Sequence, residues 1–140
     1  MELKSLPWAL AKGVLDGNSS TMRFRKFSED FPRSDYPVRI NIVCDIQEKN
    51  ERGLPTRQEA ERLGRLEDEL LNEIEDDESV LAMVITSCGK REFIFQTHDP
   101  EQFRERISHV YEQGPEYHLN YMTAEDDEWE YISEFMPKDS

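Results

Sequence analysis

Residues 36–99 read without interruption as strand, helix, strand, turn, strand, an order that few folds accommodate. Val38, Ile40, Ile42, Cys44 and Ile46 alternate with Arg39, Asn41, Val43 and Asp45, the period-two pattern of a strand with one face in a core. After a polar connection, Pro55 and Thr56 open a helix, and Glu59 stands three residues after Thr56 as a capping box requires. Ala60, Leu63, Leu66, Leu70 and Ile74 then recur at spacings of three and four, laying one apolar stripe against a sheet. Arg57, Glu61, Arg65, Asp68 and Glu75 are expected to face water, and the helix to end near Asp76. Residues 80–87 are almost continuously apolar, which suits a strand covered on both faces. Gly89 turns the chain, and residues 92–97 return as an antiparallel neighbour.

The flanks complete the order. Residues 8–15 and 21–27 form a hairpin around Asp16, Gly17 and Asn18, which tolerate the positive φ of a tight turn. Residues 28–37 break both periodicities and connect the hairpin to the core. Asp99 and Pro100 begin a second helix, with Phe103, Ile107, Val110 and Tyr111 as its stripe and Gly114 as its end. Residues 117–122 give a last strand, and residues 126–136 an acidic helix with Trp129, Ile132 and Met136 on one side. The core order β-α-β-β-α-β predicts an α+β fold, a ferredoxin-like split β-α-β two-layer sandwich. One domain is expected over residues 1–140: an N-terminal hairpin (1–27), the ferredoxin-like core (36–122) and a C-terminal acidic helix (125–137). With both core helices on one face, the face carrying Arg39, Asn41 and Asp45 is expected to be either partly open, and then a natural binding surface, or covered by the hairpin.

Charge narrows the partners. The 140 residues carry 17 basic and 31 acidic side chains, net −14. Residues 1–27 hold five basic residues against Glu2 and Asp16, net +3, which leaves −17 on the remainder. Phosphate contacts need clustered Lys and Arg, so nucleic acid is not an expected partner. Phe93 and Phe95, alternate residues of a middle strand, lack the flanking basic cluster of an RNA-stacking sheet and are read as core. No apolar run reaches the ~20 residues of a membrane span and no secretory segment opens the chain, so a cytoplasmic protein without membrane association is expected.

Residues able to carry chemistry are sparse. His98, His109 and His118 fall on three different elements, without the helical spacing of a metal site. Cys44 and Cys88 lie in strand-like apolar segments and read as small buried thiols. No Gly-x-Ser-x-Gly elbow or phosphate-binding glycine loop occurs. No catalytic residue, metal site or cofactor is therefore assigned. Two acidic groups remain, residues 67–78 and the run Glu125, Asp126, Asp127, Glu128, Glu130 and Glu134, both expected to face water. The second is not a calcium loop, because its ligands are consecutive and no central glycine is present. It could instead face a partner with a basic surface, with Trp129 and Tyr131 either as anchors of that contact or as core residues.

Three separated patterns resemble a bacterial family catalogued as a domain of unknown function, number 695: Gly53, Leu54, Pro55, Thr56 before a Glu-rich helix; Thr86, Gly89, Arg91, Glu92, Phe93, Ile94, Phe95; and Asp127, Glu128, Trp129, Glu130, Tyr131. The likeness runs from about residue 8 to 135. Members of that family look similar in architecture to regulator of ribonuclease activity B, a small acidic ferredoxin-like protein that acts by binding an enzyme. The resemblance implies no catalytic residues. The expected function is a non-catalytic protein-binding or regulatory module whose contact residues include Glu125, Asp126, Asp127, Glu128, Trp129, Tyr131, Arg39 and Asn41. The alternative is a small hydrolase or metal-dependent enzyme, which requires His98 and His118 to converge with nearby carboxylates.

Overall fold

The alternation at residues 38–46 produces an interior strand of the sheet, paired on both sides. The computed structural model describes residues 6–15, 18–114 and 116–135. Among them, strands β1 (Trp8–Leu15), β2 (Asn18–Arg25), β3 (Val38–Asp45), β4 (Ser79–Ser87), β5 (Lys90–Thr97) and β6 (Asn120–Glu125) form one sheet in the order β1-β2-β4-β5-β3-β6. Every neighbouring pair is antiparallel. Helices α1 (Arg57–Ile74), α2 (Pro100–Glu112) and α3 (Glu130–Phe135) complete the α+β fold.

Helices α1 and α2 begin where the capping residues stand. The Thr56 hydroxyl accepts from the Glu59 N–H at 3.3 Å, and the Asp99 carboxylate accepts from the Gln102 N–H at 3.1 Å with Pro100 in the first turn. Their stripes share one core with Ile40, Ile42 and Cys44 of β3 and Phe93 and Phe95 of β5. The two helices therefore lie on the same sheet face. Cys88 and Gly89, both at positive φ (55° and 74°), make the two-residue β4–β5 turn. Within β4 the register slips between Leu81, opposite Phe95, and Met83, opposite Ile94. This bulge puts the adjacent Ala82 and Met83 in the same core, away from α1, while Leu81 and Val84 serve the α1–α2 core. The nearly unbroken apolar run of β4 is thus needed on both faces.

Several expectations change. The second sheet face is neither open nor covered by the hairpin, which instead extends the sheet beyond β4. Helix α3 and the segment around Phe27, Phe31 and Tyr36 cover it, packing Trp129 and Ile132 on Val80, Met83, Ile85 and Ile94. Ala60 is exposed and Glu59 takes its place in the buried stripe. Tyr111 is exposed rather than part of the α2 stripe, its hydroxyl donating to the Leu119 carbonyl at 3.0 Å. Cys88 is an exposed turn residue, because the strand ends one position earlier. β6 lies three residues later than expected, since Tyr117 and Leu119 enter the core before the ladder starts. Helix α3 starts only at Glu130, as Trp129 adopts a φ of 58° that no helix allows. Asp16, Gly17 and Met136 lie outside the described residues.

Candidate functional site

The residues singled out from the last acidic run divide into anchors and surface. Asp126 is buried and acts as the cap of α3: its carboxylate accepts from the N–H groups of Glu130 (2.8 Å) and Tyr131 (3.2 Å) and pairs with Arg39 at 3.4 Å. Trp129 is also buried. Its indole N–H donates to the Tyr36 carbonyl at 3.0 Å, and Phe27 meets its ring edge-on with centroids 5.1 Å apart. Gln96, buried on β5, donates from its side-chain amide to the carbonyls of both Tyr36 and Asp126. The left-handed backbone at Trp129 costs a bulky residue energy, and this ring of contacts holds it there.

Arg39, Asn41 and Tyr131 are likewise committed internally. Arg39 donates to the Asn41 side chain at 2.8 Å and lies 4.2 Å over the Tyr131 ring. Asn41 and Tyr131 both donate to the Glu92 carboxylate, the tyrosine at 2.8 Å. Burial, and next the Glu92 carboxylate, push the Tyr131 hydroxyl well above its ordinary pKa. Glu92, named in the sequence only within a family pattern, is not among the expected contact residues, although it shares the strand parity of Ile94 and Gln96 and so faces this side. What remains exposed is Glu125, Asp127 and Glu128, continuous with Glu130 and Glu134 of α3. Buried Asp126 and Trp129 flank Asp127 and Glu128, and Glu125 directly precedes Asp126 on β6.

The first acidic group is only partly on the surface. Glu67 pairs with Arg23, and Glu75 pairs with Arg25 at 2.6 Å with both side chains buried. These contacts fasten the basic hairpin to α1. They also correct the expectation that Glu67 and Glu75 face water.

A second polar cluster surrounds Glu59, fully buried at the start of α1. It does not complete the expected capping box, since the Thr56 N–H goes to the Glu48 carbonyl. Glu59 accepts instead from the N–H groups of Gln47 and Glu48, from Arg62 at 2.7 and 3.0 Å, and from the Tyr117 hydroxyl at 2.8 Å. Burial raises the Glu59 carboxyl, but these donors outweigh it and hold the group below its ordinary pKa. Tyr117 is pushed up to about 12 by burial and by Glu59. A cleft of about 280 Å³ adjoins the cluster, lined by Arg62, Leu66, Glu69, Gln113 and Tyr117. Glu59 has no lone pair left for substrate, so the cluster pins the 47–48 loop and Tyr117 to α1.

The histidines do not converge. His98 follows β5 at the Val38 end of β3, with its ring 3.0 Å from the Asp35 carbonyl, whereas His118 precedes β6 at the Val43 end. At about 3.3 Å per strand residue the two ends are about 20 Å apart, which removes the geometry that the enzyme alternative needs. His109 contacts Glu73 on the exposed helix surface at 2.9 Å. Among the described residues, no group of three His, Cys, Asp or Glu is placed to hold a metal ion. No helix among them is long and apolar enough to cross a membrane.

A family model described as a family of unknown function, DUF695, matches residues 7–136. No curated protein and no solved structure gives a significant match.

Proposed function

The chain belongs to DUF695, a family of unknown function, and from its surface we propose a non-catalytic protein-binding module that engages a basic partner. The observation that carries this reading is the exposure of Asp127 and Glu128 between the buried anchors Asp126 and Trp129, with Glu125 exposed directly before Asp126 at the end of β6. Exposed carboxylates held on an ordered backbone attract a cationic surface and lose little freedom on contact. A cytoplasmic setting fits such a module. The reading of the core as a ferredoxin-like split β-α-β unit belongs to the same proposal. It is supported by β5 lying between β3 and β4 and by α1 and α2 sharing one face.

The test is affinity capture from the native cell with the parent protein and with a Glu125→Gln, Asp127→Asn, Glu128→Gln variant, followed by mass spectrometry. The expected result is a partner with a basic surface that is released by salt and lost with the variant. Equal recovery by both proteins at low salt would overturn the reading, as would a turnover activity abolished by His98→Ala or His118→Ala.

A further inference from the structure

Among the described residues no strand pairs with the outer edge of β6, and β6 carries no lysine, proline or bulge, devices that block pairing with another chain. The hydrogen bonds define which backbone groups it offers. The Asp126 N–H donates to the Pro37 carbonyl at 2.7 Å, in register with the β3–β6 ladder, so Ala124, Met122 and Asn120 are the residues bonded to β3. The Ile46 N–H donates to the Gly89 carbonyl at 2.9 Å, in register with the β3–β5 ladder, so the even residues of β3 face β5 and the odd ones face β6. Both bonds give the same phase. Tyr121, Thr123 and Glu125 therefore turn their N–H and C=O groups outward.

Side-chain space accompanies this edge on both faces. On the α2 side runs a groove of about 480 Å³ lined by Val38, Pro100, Glu101, Arg104, Thr123 and Glu125. On the other side Met122 is 57% exposed. Glu101 and Glu125 border the groove, and Asp127 and Glu128 continue the negative rim past the end of the strand, with Arg104 as the cation among them.

We propose that the β6 edge binds an extended, basic segment of a partner protein by strand addition. The partner's main chain bonds to Tyr121, Thr123 and Glu125, while alternate side chains enter the α2 groove and lie against Met122. The inference rests on the protein-binding reading and supplies its mode. Charge selects the occupant: a second copy would bring the same acidic edge against this one, whereas a segment bearing lysine or arginine meets Glu101, Glu125, Asp127 and Glu128.

The probe is a capped hexapeptide of alternating lysine and valine, titrated at low salt while backbone amides are followed by NMR and hydrogen exchange. Protection of the Tyr121, Thr123 and Glu125 amides is expected. Thr123→Pro removes an outward N–H without touching the β3 ladder and should weaken binding by about tenfold. Two further peptides, N-methylated on their odd or on their even residues, need no protein variant: one phase should bind and the other should not, because only one set of peptide amides faces β6. Equal binding of the two phases, or no protection at residues 121, 123 and 125, overturns strand addition. If binding then still falls with the Glu125, Asp127, Glu128 variant, the acidic-surface reading stands alone; if it does not, both fail. A homodimer that protects the same three amides without peptide would also overturn the proposal, in favour of a second copy as occupant.

Discussion

Arg25 on β2 and Glu75 at the C-terminus of α1 are 50 residues apart in sequence and meet at 2.6 Å, with both side chains almost wholly removed from solvent. Trp8 stacks on the guanidinium at 4.8 Å, and Glu75 also accepts from the Leu81 N–H at 2.9 Å. Arg25 Nε and Glu75 Oε1 remain without a hydrogen bond among the described residues. Removing one partner strands the other charge, so Arg25→Ala or Glu75→Ala should each lose about 3–5 kcal/mol in urea unfolding. Replacing both together, Arg25→Met with Glu75→Leu, should cost clearly less than either single change, and a double variant as unstable as the singles would contradict this account.

Leu70 is fully buried at the centre of the α1 stripe. Leu70→Asp should abolish the cooperative thermal transition, because it puts an unpaired carboxylate among apolar side chains, and Leu70→Ala should cost about 2–5 kcal/mol. A melting temperature for Leu70→Asp within a degree or so of the parent's would refute the stripe assignment.

Glu59 links stability to pH. Its carboxyl is held below the ordinary value in the folded protein and returns to about 4.3 when unfolded. The stabilisation is fully present above the unfolded value and is lost as pH falls through the folded one. Glu59→Gln should therefore flatten the acid limb of the stability curve and cost about 1.5–3 kcal/mol at pH 7. Denaturant midpoints measured between pH 2 and 7 give both quantities, and parallel curves for parent and variant would exclude the linkage.

The two thiols should behave differently. Burial, opposed by Arg91, pushes Cys44 up to about 11, and its side chain is inaccessible. A maleimide at pH 8 should label one site in the native protein, Cys88, and both sites in guanidinium chloride. Peptide mapping that finds Cys44 labelled at native conditions would contradict its place in the core.

The acidic end separates anchor from surface. Glu125→Gln, Asp127→Asn, Glu128→Gln should leave the melting temperature nearly unchanged and slow association with a basic partner at low salt, since such attraction is screened over about 8 Å at physiological ionic strength. Asp126→Ala removes the α3 cap and should cost about 1–2 kcal/mol. Similar stability for the two variants would show that Asp126 is not an anchor.

The elements with a strong local signal were readable from the chain. Thr56, Asp99, Gly89 and the stripes of α1 and α2, apart from Ala60 and Tyr111, each act within a few residues of their own position, so spacing located them. Contacts made across the sheet were not readable. Glu59 has the spacing of a capping box, yet its partners sit at Gln47, Glu48 and Tyr117, and nothing local distinguishes the two arrangements. Glu75 and Asp126 looked like solvent-facing carboxylates because their cations, Arg25 and Arg39, are 50 and 87 residues away. The one-sided placement of Trp129 and Ile132 was readable, but not that they close a second core on the far sheet face, because their partners Val80, Met83 and Ile94 are distant in sequence.

That second core has an order of assembly built into it. Val80, Ala82, Met83 and Ile94 form a greasy sheet face that Phe31 and Tyr36 cover in part, and the remaining cover, Trp129 and Ile132, is the last described portion of the chain to be synthesised. A ribosome-bound chain that has emerged only as far as β6 already has every described strand and the two longer helices but still bears a partly uncovered apolar wall. Until α3 emerges, this wall therefore stays open to aggregation and to capture by a chaperone even though the first core is already closed.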